Sequence, residues 1–145
     1  MSASQLFDLS SLDTVAACSE GAEIQLLHPV SRVPLDIFIR VSGKDSLVFK
    51  THLRQSVNAR LRKTALDRKR GIPDVPTVEA GEEDTIAALV ACTTAWRTGE
   101  EPVINFAGEN LSCTPANAAF IYSRLPWVRE QIDEAVADLE NFLKP

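Results

Sequence analysis

The sequence predicts an α+β fold, mainly α: an N-terminal antiparallel β-hairpin, then a long basic helix, then a C-terminal helical subdomain of about three helices. Three observations predict it. Leu35, Ile37, Ile39 and Val41 alternate with Asp36 and Arg40, the period-two mark of a strand. From Leu47 onward Phe49, Leu53, Val57, Leu61 and Ala65 recur at every fourth position among arginines and lysines, which predicts a helix with one apolar seam. Beyond Asp84, apolar and amphipathic runs are separated by N-cap and proline punctuation, as in a small helical core. These features divide the chain into residues 1–70 (hairpin plus basic helix), a Pro-rich and acidic linker over 71–83, and the helical core over 84–145.

Taken in order, Leu9, Leu12, Val15 and Ala16 followed by Gly21 predict a short helix over 8–19. Glu23–Leu27 begins a strand, and His28–Pro34, bracketed by two prolines, is the turn before the clearer strand over 35–41. A lone hairpin is marginal in water, so this one must pack on a helix or pair with more strand. Asp45 or Ser46 can accept the free amides that open the helix over 47–69, and Gly71–Pro76 ends it. Thr85–Trp96 is apolar or small on nearly every side, which predicts a buried helix capped by Asp84 and ended by Gly99. Residues 99–112 read as a loop tucked onto the core by Val103, Ile104 and Phe106. Thr114 followed by Pro115 starts a helix over 115–124, and Pro126 ends that helix and starts another. The last helix carries Val128, Ile132, Val136, Leu139 and Leu143 as one stripe.

The chain has 145 residues with 45% hydrophobic and 24% charged content, enough to bury a core without cross-links. No apolar run approaches the ~20 residues of a membrane span, and the first residues lack the basic and apolar regions of an export signal. Cys18, Cys92 and Cys113 are an odd number at unpatterned spacing and read as reduced thiols. The net charge of −5 conceals an asymmetry. Lys50–Arg70 holds eight of the 15 basic residues against one acid, Asp67, for +7, so the remainder carries −12. Such a split predicts a surface that meets an acidic partner.

Catalytic chemistry finds little foothold. The two histidines, His28 beside a proline and His52 on the basic helix, lie 24 positions apart with no nucleophile or ligand at a useful spacing. The pairs Glu82–Glu83 and Glu100–Glu101 flank expected helix ends, where they complement a helix dipole or solvate a loop. The glycines are too scattered for a phosphate loop. A non-enzymatic protein without metal or cofactor is the expectation. The basic helix could serve as a solvated face, a docking surface for an acidic protein, or a phosphate-binding surface. Nucleic acid is the least favoured of these, because no aromatic interleaves with the cations beyond Phe49. Trp96 reads as a core anchor, whereas Trp127 could anchor either a core or an interface.

Several phrases taken together resemble the tail assembly chaperones of long-tailed (siphovirus-type) bacteriophages. They are Gly21 with Ile24, Leu26, His28 and Pro29; Val41–Ser46 leading into the basic helix; Ala91–Trp96; Phe106; Glu109–Asn110; Tyr122; Pro126–Ile132; and Asn141–Phe142. The loop over 99–113 is longer than that pattern. The resemblance implies a non-enzymatic cytoplasmic protein of the infected or lysogenic host, absent from the mature virion. Such a protein keeps the tape-measure protein soluble while tail-tube protein polymerises around it. It also implies a homo-oligomer, and a longer frameshifted form of which this chain would be the shorter version. The charge split across the Pro73–Pro76 break motivates the expected client or self-association surface, formed by the 47–69 helix with the hairpin, whose candidate residues are Phe49, Leu53, Arg54, Arg60, Arg62, Lys63 and Trp127. A minor structural protein of the phage tail and a small nucleic-acid-binding protein using the 50–70 helix are the alternatives.

Overall fold

A computed structural model describes residues 6–73 and 78–143, the Glu79 side chain excepted. A 3₁₀ turn (Leu9–Leu12) and helix α1 (Thr14–Glu20) lead into strands β1 (Ala22–Leu27) and β2 (Pro34–Val41). Helices α2 (Leu47–Arg70) and α3 (Val78–Cys92) follow. Next come β3 (Thr93–Thr98), β4 (Val103–Phe106) and β5 (Glu109–Ser112). Helices α4 (Pro115–Arg124) and α5 (Pro126–Ala137) and a closing 3₁₀ turn (Leu139–Asn141) complete the described chain.

The hairpin lies where the alternation places it, but the strand order corrects the expected fold class. The C-terminal part is not a helical subdomain, because three of its segments are strands. β3 pairs antiparallel with β2 to give a three-stranded sheet of order β1-β2-β3, and β4 pairs with β5 in a second, two-stranded sheet. The marginal hairpin thus gains its third strand from beyond the Pro-rich segment. Ile24, Ile39 and Trp96 stand opposite one another across the three strands, forming a row on the core-facing side. The other face carries Gln25, Phe38 and Arg97 in the neighbouring row.

The expected helix over 85–96 is divided at Cys92 for local reasons. Thr93 and Thr94 are β-branched and fit a pleated strand better than a helix. The Thr93 hydroxyl also donates back to the Leu89 carbonyl at 2.7 Å, an i−4 bond that competes with the helical ladder. The helix instead begins earlier: Val78–Glu83, expected as linker, forms its first turns, and Asp84 lies inside it rather than at its cap. Residues 74–77 of that linker fall outside the described residues.

The loop expected over 99–112 contains the β4–β5 hairpin. Its two-residue turn, Ala107–Gly108, has φ of 52° and 85°, a double left-handed turn that matches the twist of paired strands and favours glycine at the second position. The last helix ends at Ala137, short of the expected stripe. Asp138 caps the 3₁₀ turn by accepting from the Glu140 amide, and Phe142 folds back into the core.

The core lies between the β1-β2-β3 sheet and α3, α4 and α5, with Tyr122, Leu26, Ile39, Leu89, Ile121 and Ile132 its largest fully buried side chains. The stretch joining β2 to α2 serves as its hub. The amides of Ser42, Gly43 and Lys44 donate to Cys92, Cys18 and Val136 at 2.9, 3.0 and 2.9 Å, so three consecutive residues tie down α3, α1 and α5. Among the described residues no helix is long and apolar enough to cross a membrane.

Candidate protein-docking surface

The hub launches α2. Ser46, fully buried, accepts the Phe49 amide at 3.2 Å as N-cap, and Gly71 closes the far end after 24 residues. No α2 residue is buried. The half-buried positions Phe49, His52, Ser56, Thr64 and Asp67 mark the side turned towards the protein, where α2 packs on α3. Arg60 meets Asp84 of α3 at 2.5 Å, both side chains more than half exposed, so the pair orients the helices without contributing much stability.

The apolar seam read from the sequence does not stay on the packed side. A step of four residues advances a helix about 40° beyond a full turn. The stripe therefore winds about 120° between Phe49 and Leu61, carrying Val57 and Leu61 out to 44% and 62% exposure; Leu53, only about 40° from Phe49, is 52% exposed as well. Arg54, Arg60, Arg62 and Lys63 of the same helix are exposed. Six of the seven surface residues expected from the sequence are thus on one helix. Trp127, in the first turn of α5, is half-buried against the core and does not join them.

A second apolar feature went unread in the sequence. Between α3 and α4 runs an open groove of about 670 Å³, with Ile86, Ala87, Val90, Ala116, Ala119 and Phe120 as its walls and Glu83 and Ser123 at its polar points. Phe106 of β4 supports Phe120 edge-on, with ring centroids 5.2 Å apart at 82°. The signal was present as the small and apolar residues of two helices, but their juxtaposition is a tertiary fact.

The groups that chemistry would use are occupied structurally. His28 Nδ1 accepts the amides of Val30 and Ser31, both at 3.1 Å, and so organises the β1–β2 turn. His52 lies 3.3 Å from the Ser56 hydroxyl one turn on. Burial pushes the Cys92 thiol up to about 11 and raises Cys113 as well, so neither is poised as a thiolate nucleophile. Burial also holds the Tyr122 phenol well above its usual range, opposed by its 2.5 Å hydrogen bond with Thr93. On the exposed sheet face the Arg97 guanidinium grips Glu23 through Nε at 2.9 Å and Nη2 at 2.7 Å and covers the Phe38 ring at 4.0 Å. Those bonds hold the Glu23 carboxyl below its usual value. Among the described residues no group of three His, Cys, Asp or Glu side chains could hold a metal ion.

No family model, curated protein or solved structure matches this chain. The resemblance to tail assembly chaperones therefore rests on the residues that carry it.

Proposed function

We propose that this protein is a non-enzymatic docking module that lays α2 against an acidic, helical client. Through its residue-level resemblance, we read it as a phage tail assembly chaperone whose client is the tape-measure protein. The observation that carries the docking reading is the exposure of Leu53, Val57 and Leu61 along a helix with no buried residue and a +7 segment. An apolar stripe captures one face of an amphipathic helix, and flanking cations set its orientation and hasten encounter. Reversible holding of a long client needs nothing more reactive than this. On this reading the chain works in the cytoplasm of the infected or lysogenic host, beside the tail-tube protein, and leaves before the virion is complete.

Co-expression with the tape-measure protein of the same genome tests the reading. Soluble client should co-purify with the wild-type chain and fall at least about tenfold with Arg54→Glu, Arg62→Glu and Lys63→Glu combined. Arg60 is left intact in that variant because it meets Asp84. An insoluble client with no complex would overturn the reading, and recovery of the chain in purified virions would make it a minor structural protein instead. The charge on α2 also favours a second reading as a nucleic-acid-binding helix. Affinity for duplex or single-stranded DNA that collapses with added salt would support that alternative.

A further inference from the structure

We infer that the exposed segment at the start of the described chain, residues 6–13, is a strap that closes over the apolar stripe of α2 and competes with a client for it. Its regulatory role rests on the docking reading of α2, whereas the contact itself belongs to the chain alone. Every residue of the segment is exposed, and Leu6, Phe7 and Leu9, at 86%, 71% and 74%, are among the most exposed apolar side chains described. Apolar clusters left in water mark contact surfaces. The segment nevertheless has a defined shape. Asp8 accepts the Ser10 amide at 2.9 Å to cap the 3₁₀ turn, and Asp13 accepts the Ala16 amide at 3.0 Å to cap α1. Its anchors are therefore displayed already ordered, which lowers the cost of docking them.

Position and chemistry both direct the strap to α2. The Leu47 amide donates to Ser19 Oγ at 3.2 Å and the Gly43 amide to the Cys18 carbonyl at 3.0 Å, so α1 is pinned where α2 begins. Asp13, the root of the strap, stands about 9 Å along α1 from Ser19. The Leu53–Leu61 stripe starts about 9 Å from Leu47 and runs for about 12 Å. Residues 6–12, with the 3₁₀ turn kept, span about 18 Å, enough to cover it. At about 100° per residue, Val57 and Leu61 lie about 80° and 120° around α2 from Phe49, and the exposed Lys50 and Arg54 lie at about 100° and 140°. Cations thus share the face of the stripe. The strap carries two acids, Asp8 and Asp13, and no base. The amide and side chain of Ser10 hold the Asp8 carboxyl below its usual value, so capping leaves it charged. An acidic, apolar strap is therefore tethered beside a basic, apolar face. Both are exposed to solvent in the structure, which is the open arrangement.

Disulfide trapping in the full chain tests the contact. In a Cys113→Ser background, which removes the one cysteine that is not buried, Leu9→Cys is paired with Val57→Cys on the stripe. The control pairs it with Ala59→Cys, about 160° away around α2 and only about 3 Å farther along it. Under mild oxidation of dilute protein at low salt, the intrachain disulfide should form at least about fivefold faster with Val57→Cys than with Ala59→Cys. Asp8→Asn with Asp13→Asn keeps both caps and removes both charges, and should slow the trapping about threefold. Equal rates on the two faces, undiminished trapping of the asparagine variant, or disulfides formed only between chains would overturn the strap. In the co-expression assay, Phe7→Ser with Leu9→Ser should retain about threefold more client than the wild type, as expected when closure leaves about one molecule in three open. Unchanged retention of a client that does bind overturns the competition. A client that binds neither chain counts against the docking reading, while the trapping rates still decide the contact.

Discussion

At the scale of single residues, side chains finish what the backbone leaves open. The bulge in β1 between Gln25 and Leu27 interrupts its pairing with β2, and the Gln131 amide from α5 fills in. It accepts the Leu27 N–H at 2.9 Å and donates to the Leu27 carbonyl at 2.8 Å. Gln131→Ala should cost about 1–3 kcal/mol, the penalty for leaving such groups unpaired, and urea unfolding would measure it. A change within error would mean that water replaces the amide at no loss. Tyr122 makes a second prediction. Its phenol is raised from 10.0 and the Cys92 thiol from 9.0, both by burial. Below these values folded and unfolded chains hold the same protons. Above them the unfolded chain loses protons that the folded chain keeps, so stability should fall as pH rises from about 9, by up to about 1.4 kcal/mol per pH unit for each group. Because Tyr122 is the sole tyrosine, absorbance near 295 nm should show no tyrosinate until the protein unfolds. Ionisation at an ordinary tyrosine pH in the folded protein would contradict the burial.

At the scale of elements, the stretch between β2 and α2 bears the greatest constraint. The sequence there reads as a turn ending in a cap, and Ser46 acts as that cap. What does not read out is that Gly43 lies against α1 and the C-terminal segment. A Cβ on Gly43 would fall 2.5 Å from Cys18 Sγ and 2.9 Å from the Phe142 ring. Gly43→Ala should therefore destabilise by about 1–3 kcal/mol through overpacking, visible as a lower thermal midpoint. The exposed α2 stripe should behave oppositely. Replacing Leu53, Val57 and Leu61 with glutamine should leave stability within about 0.5 kcal/mol per site, since little apolar area returns to water. A large loss would show that the stripe is folding core rather than docking surface.

At the scale of the whole molecule, β3 joins what the linear chain separates. It leaves α3, pairs with β2, and carries Trp96 into the core, where the indole N–H donates to the Leu111 carbonyl at 2.9 Å. Residues 78–145 expressed alone would expose that strand's pairing edge and the sheet-facing side of α3, α4 and α5. This fragment should lack a cooperative thermal transition, and independent cooperative folding would refute the coupling. Much of the architecture was legible beforehand: the alternation at 35–41, the N-cap Thr114 with Pro115, and Pro126 at the start of α5 all specify local backbone. The strand Thr93–Thr98 was not. It continues the apolar and small run of α3 without a break residue, and a segment this short shows no periodicity that separates a helix end from an edge strand.

By itself, the sequence determined what depends on near neighbours. It set the hairpin, the caps of α2 and α4, the proline breaks, and a +7 helix bearing every fourth residue apolar. Tertiary structure alone decided which open edge β3 would fill, which part of the α2 stripe would face solvent, and that α3 and α4 would enclose an apolar groove. The physical reason is the range of the forces involved. Dihedral preference and capping act within a few residues, whereas pairing and burial select among distant partners by area and fit, which a linear order does not encode.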